Sequence, residues 1–96
     1  MNWDDLRIFL ALSRDGTLSE TARKLKVSQP TVGRRIERLE RDMDAKLFDR
    51  LADGYALTAA GERLVPMAQD MAHAAEALDR TTAALSDPID GTVRVS

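Results

Sequence analysis

The segment from Thr17 to Met43, T-L-S-E-T-A-R-K-L-K-V-S-Q-P-T-V-G-R-R-I-E-R-L-E-R-D-M, constrains the fold most, because it holds two short helical patterns on either side of a tight turn. Thr17 is an N-cap by type, Glu20 three residues on completes a capping box, and Leu18, Ala22 and Leu25 give the first helix a buried face. Ser28 caps the second helix, followed by Gln29 and Pro30. Proline is tolerated in a first helical turn because the N–H it lacks would have no intrahelical partner there. Val32, Ile36, Leu39 and Met43 then recur at i, i+4, i+7 and i+11, one narrow apolar stripe. The pattern predicts a helix-turn-helix, with the rest of the chain supporting it.

With about 100° of rotation per residue, Pro30, Arg34, Glu37, Arg38 and Arg41 point away from that stripe, with Thr31 and Gly33 on its flanks. This is the face available to a DNA groove. Arg34 lies nearest the helix start and is the best candidate for a base-edge contact, since recognition helices enter the major groove N-terminal end first and arginine pairs bidentately with guanine. An arginine-rich helix face taken alone is more often merely solvated. The capped turn, the paired apolar stripes and the placement of charge together reverse that balance.

A net charge of -2 argues against nucleic acid only if charge is spread evenly. From Arg23 to Arg41 there are seven basic and two acidic residues, a local +5, whereas the remainder carries seven basic and fourteen acidic, a local -7. A basic segment on an acidic body still binds DNA, because local phosphate contacts release the counterions.

Around this segment, Trp3 to Arg14 reads as a first helix, with Asp4 and Asp5 at its positive end and Trp3, Leu6, Ile8, Phe9 and Leu10 on a broad apolar side, stopped by Asp15-Gly16. Trp3 and Phe9 are expected in the core rather than stacked on bases. After a connection over 44–46, Leu47-Phe48-Asp49-Arg50 and Tyr55-Ala56-Leu57 flank Leu51-Ala52-Asp53-Gly54, two extended pieces around an Asp-Gly turn. A hairpin beside a helix-turn-helix is a wing, which makes Arg50 a candidate phosphate or minor-groove contact, evenly balanced against pairing with Asp49 or Asp53.

Thr58 is placed as the cap of a last helix reaching about Ser86, where Asp87-Pro88 ends it. Such a helix is roughly 42 Å long, too long to lie against so small a core. Leu64, Met67, Met71, Ala74, Leu78, Thr81 and Leu85 form an unbroken heptad seam that wants a partner helix, and Pro66 is expected to kink the helix near its start. His73 reads as an ordinary helix-surface residue. The tail from Pro88 turns to an alternating T-V-R-V, a strand with nothing here to pair with, and reads as the start of something cut off.

The fold class expected is mainly α: a winged helix-turn-helix of three helices and a two-stranded wing over 1–58, a linker and dimerisation helix over 59–86, and a hinge over 87–96. With no cysteine and one histidine, neither a disulfide framework nor a metal site is expected, and no cofactor is implied. No nucleophile–base spacing, paired-carboxylate motif or Gly-rich phosphate cradle suggests an enzyme. No signal peptide opens the chain and no run approaches the roughly 18 apolar residues of a membrane span, so a cytoplasmic location without membrane contact is expected. The competing reading is a helical dimerisation or adaptor module in which the seam is the function.

The chain resembles the N-terminal winged domain of LysR-type transcriptional regulators of bacteria. The resemblance rests on L-R-I-F-L-A-L, on G-T-L-S-E-T-A-R-K-L-K-V-S-Q-P-T-V-G-R-R-I-E-R-L-E, on L-F-D-R in the wing and on L-T-A-A-G-E after it, and spans nearly the whole chain. It implies double-stranded DNA as partner and homodimers through the long helix, typically antiparallel, on a partly palindromic site. It also implies an effector-binding C-terminal domain that senses a small molecule and assembles tetramers, with G-T-V-R-V-S similar to its first strand. Carried over residue by residue, Gln29 and Arg34 are the implied base readers and Ser28 and Thr31 the implied phosphate contacts, with Pro30 beside them; Gly33 and Arg38 join this DNA-binding set from the helical projection and Arg50 from the wing. Gly33 departs from the family's common serine, and Asp53 and Ala56 stand where its wing is usually basic. The winged domain of molybdate-responsive regulators shares this architecture.

Overall fold

The computed structural model describes residues 2–85; the expectations placed on Ser86 and on residues 87–96 lie outside the described residues. The elements run α1 (Trp3–Asp15), α2 (Leu18–Leu25), α3 (Gln29–Met43), β1 (Phe48–Leu51), β2 (Gly54–Leu57) and α4 (Ala59–Leu85). Each helix start carries the side chain it needs. The Asn2 side chain accepts from the Asp4 N–H at 2.8 Å, Thr17 Oγ1 from Glu20 N–H at 3.2 Å, Ser28 Oγ from Thr31 N–H at 3.2 Å and Thr58 Oγ1 from Gly61 N–H at 3.1 Å. The capping box at Thr17 is only half made, because the Glu20 carboxylate pairs with Arg23 one turn on instead of reaching back. Gly16, Lys26 and Asp44 end α1, α2 and α3 in the left-handed conformation.

The core lies where the apolar faces of α1, α2 and α3 meet the start of the hairpin. Leu6, Phe9, Leu12, Val32, Leu39 and Leu47 are almost fully buried, and Phe48 stands between Phe9 and Tyr55 with ring centroids 5.5 and 6.0 Å away. Trp3 packs against the same cluster, so neither it nor Phe9 is free to stack on a base. Glu40 ties α3 to the hairpin: its Oε2 accepts from the Leu47 N–H at 2.8 Å and the Phe48 N–H at 3.3 Å.

The hairpin is antiparallel, with Phe48 opposite Leu57 and Leu51 opposite Gly54, which leaves Ala52 and Asp53 as its turn. Gly54 thus belongs to β2 rather than to the tip, and its reason is not the turn. Its φ is 155°, a Cβ there would stand 2.4 Å from the Gly16 carbonyl oxygen, and the Tyr55 N–H donates to that oxygen at 2.7 Å. The wing is therefore docked on the bend between α1 and α2, and only glycine allows the approach.

The first turns of α4 belong to the same packed unit. Leu64, counted in the seam from its heptad position, is 8% exposed and lies in the core with Ala68, because α4 crosses α1 before it leaves the body. The helix continues through Pro66 to Leu85. On the outer face of α4, Met67 and Leu78 are 64% and 65% exposed and Leu85 is 81% exposed, with Met71, Ala74 and Thr81 also open to solvent. The unpartnered seam accordingly starts at Met67.

Candidate nucleic-acid interface

The bend from Lys26 to Ser28 and the capped start of α3 bring the sequence-expected residues onto one surface. Ser28, Gln29, Pro30 and Arg34 are exposed, and Thr31 and Gly33 are half-buried beside them. The Ser28 hydroxyl works locally: it accepts the Thr31 N–H and lies 2.7 Å from the Thr31 hydroxyl. Gly33 faces α2, but loosely, since a Cβ there would meet only Leu18 Cδ1 at 4.0 Å. Gly33→Ala is therefore expected to raise stability by about 1 kcal/mol and the melting midpoint by about 5 °C, as read by circular dichroism.

The basic residues divide into two groups. Lys26, Arg34 and Arg41 make no ion pair with any described residue. The other four of the segment are engaged: Arg23 with Glu20, Lys24 with Asp15 at 2.9 Å, and Arg35 and Arg38 with Asp5. Arg38 departs most from the expectation of a groove-facing cation. Its Nε and one terminal nitrogen donate to the two oxygens of Asp5 at 2.9 and 2.8 Å, and Arg35 stands 3.6 Å from the same carboxylate. The hydrogen bonds and then the charge of Asp5, with a smaller contribution from Asp42, hold the Arg38 guanidinium above its ordinary pKa. Arg50 projects from β1 over the Tyr55 ring, 5.6 Å from its centroid, and lies 3.8 Å from Glu37 on α3, so neither Asp49 nor Asp53 is its partner.

Asp5 itself was legible only as a favourable charge at the start of α1, yet it is fully buried. A sign of this was present: Asp5, Ile8, Phe9 and Leu12 recur at i, i+3, i+4 and i+7, so the carboxylate lies on the core stripe of its helix. Glu40, one of the two acidic residues in the charge count from Arg23 to Arg41, serves as an acceptor for the hairpin backbone. Chemically, the surface offers an unpaired arginine fork, a primary amide and two hydroxyls around the start of a helix, flanked by a wing. No helix among the described residues is long and apolar enough to cross a membrane.

Residues 3–62 match the family described as bacterial regulatory helix-turn-helix protein, lysR family. The transcriptional regulator ClcR of Pseudomonas putida is 35% identical over 96 residues, covering 100% of this chain and 33% of its own length. This chain spans about a third of the length of that curated relative. Among solved structures, the complex of the CbnR DNA-binding domain with DNA superposes with a TM-score of 0.80 at 34% identity, covering 88% of this chain and 99% of that one. Corynebacterium glutamicum OxyR in its oxidized form gives a TM-score of 0.81 at 28% identity, covering 84% of this chain and 26% of that one.

Proposed function

Because this chain belongs to the lysR family of bacterial regulatory helix-turn-helix proteins, we propose that it binds double-stranded DNA sequence-specifically, with the start of α3 in the major groove. The observation that carries this reading is Arg34: it is exposed near the start of α3 and free of any ion pair among the described residues, beside Gln29 and the Ser28–Thr31 hydroxyl pair. Gln29 and Arg34 read base edges, Ser28 and Thr31 face phosphates, Pro30 and Gly33 let the backbone come close, and Arg50 flanks them from the wing. Arg38 is set apart from these residues, because two of its five N–H donors and its charge are engaged by Asp5.

The unit of recognition is a homodimer joined along α4 from Met67 to Leu85, on a partly palindromic site. The exposed row of Met67, Met71, Leu78 and Leu85 supports it. The family is one of transcriptional regulators rather than of enzymes. In the longer protein, a small-molecule effector acts through a C-terminal domain that also builds tetramers, and the location is the cytoplasm, where the DNA is.

Selection of bound sites from random duplexes, followed by fluorescence anisotropy across salt, tests the reading. Each copy presents Lys26, Arg34 and Arg41 without an internal counter-ion. With Arg34 on base edges, Lys26 and Arg41 are left for phosphates, so a dimer is expected to show a log–log salt slope of about -4, well short of the roughly -11 that the segment's six other basic residues would give. A flat salt response, with a dimer indifferent to DNA, would instead fit an adaptor module. Leu78→Glu is expected to leave the melting of the winged body unchanged while converting the dimer to monomer in analytical ultracentrifugation. A dimer that persisted would move the interface off α4.

A further inference from the structure

Asp5 is fully buried, and it joins α1 to α3 across 33 positions of sequence. Burying a carboxylate is costly unless it is paired, and an apolar side chain would pack two helices at least as well. The pairing therefore calls for a role beyond cohesion. A carboxylate whose two oxygens are held by one edge of a planar guanidinium accepts a narrow range of geometry, so the Asp5–Arg38 bonds fix how far α3 can roll about its axis against α1. Arg38 is one turn beyond Arg34 on α3 and Arg35 is Arg34's immediate neighbour, so both arginines sit beside the groove-facing surface, partly exposed, while their charge is paired with Asp5.

We infer that Asp5 is a specificity-determining positioning residue: it holds α3 so that Arg34 meets base edges and withholds Arg35 and Arg38 from sequence-independent phosphate contacts. The inference rests on the DNA-binding reading above and adds a direction to it. Free arginines strengthen binding to any duplex, because each phosphate contact releases counterions regardless of sequence. A chain that must discriminate gains by neutralising cations that carry no base information.

The experiment compares Asp5→Asn, Arg35→Gln and the double variant Asp5→Asn with Arg38→Ala against the unaltered 96-residue chain. Two duplexes are used: the selected site and a scrambled duplex of equal length and composition. Asp5→Asn is expected to strengthen binding to the scrambled duplex by about eightfold at 0.1 M salt for each arginine released, with a salt slope steeper by about 0.9. The same variant is expected to weaken binding to the selected site by about tenfold, as Arg34 loses its aim. The double variant gives back the share of the scrambled-duplex gain that belongs to Arg38. Arg35→Gln leaves the Asp5–Arg38 bonds intact and leaves the scrambled-duplex slope unchanged, and it decides the matter if circular dichroism shows Asp5→Asn unfolded at the assay temperature. Parallel loss of affinity for both duplexes in Asp5→Asn, no gain on the scrambled duplex, or a slope lowered by about one unit in Arg35→Gln overturns the inference. If the unaltered chain itself fails to distinguish the duplexes, the DNA-binding reading fails first and takes the inference with it.

Discussion

Gly61→Ala is expected to lower the melting midpoint by about 15 °C, a loss of about 2–3 kcal/mol. A Cβ at this position would stand 2.3 Å from the Leu47 carbonyl oxygen and 2.8 Å from Leu57 Cδ2. Whether such an overlap is costly depends on what can move, and here little can. The Leu47 carbonyl accepts from the Thr58 N–H at 3.0 Å, the Leu47 N–H is held by Glu40 at 2.8 Å, and the neighbouring Lys46 carbonyl accepts from the Thr58 hydroxyl at 2.6 Å. The C-terminal part of α3, the start of β1 and the start of α4 therefore close on one another around a glycine. Moving α4 outward to admit a methyl group would also lift Leu64 and Ala68 from the core. Circular dichroism melts of Gly61→Ala and Gly33→Ala, run side by side, check the argument by sign: the first falls and the second rises, although both add one methyl group to a helical glycine. A Gly61→Ala midpoint within a few degrees of the parent would show that the hairpin gives way cheaply.

The contrast between those glycines shows where sequence reading reaches its limit. Helix starts were legible because their chemistry is local: Thr17, Ser28 and Thr58 each satisfy a backbone N–H three residues on, and side-chain type with spacing is enough to find them. The apolar stripe of α3 was legible for the same reason, since Val32, Ile36 and Leu39 repeat at helical spacing and all are buried. Gly54 was visible as a turn signal, but its purpose, closeness to the Gly16 carbonyl, depends on how the wing folds back on a bend 38 positions earlier. Leu64 fits the heptad as well as any member, and only the crossing of α4 over α1 removes it from the seam.

The charges follow the same rule. Counting basic residues along Arg23 to Arg41 located the surface but overstated its strength, because four of the seven have acidic partners and those of Arg35 and Arg38 lie far away in sequence. Helical projection gave Arg38 the same outward direction as Arg34. The arginine side chain is long enough to turn back to α1, and the buried Asp5 is what draws it there.

Arg34→Ala is expected to weaken binding to the selected site about a hundredfold while leaving the melting midpoint unchanged within about 2 °C. The magnitude follows from a bidentate base contact worth about 1.4 kcal/mol in each of two copies, near the low end for such pairs. The absence of a stability effect follows from the structure: Arg34 is exposed and makes no ion pair with any described residue, so truncation strands no buried partner. Arg38→Ala should differ, lowering the melting midpoint by leaving the buried Asp5 to Arg35 alone, and weakening the selected site by about the same tenfold as Asp5→Asn rather than a hundredfold. Two arginines one turn apart on the same helix are thus separated by which observable each one moves. Anisotropy on the selected and scrambled duplexes, with melts of both variants, reads that separation directly. Equal losses on the two duplexes in Arg34→Ala would make Arg34 a phosphate contact and transfer base reading to Gln29.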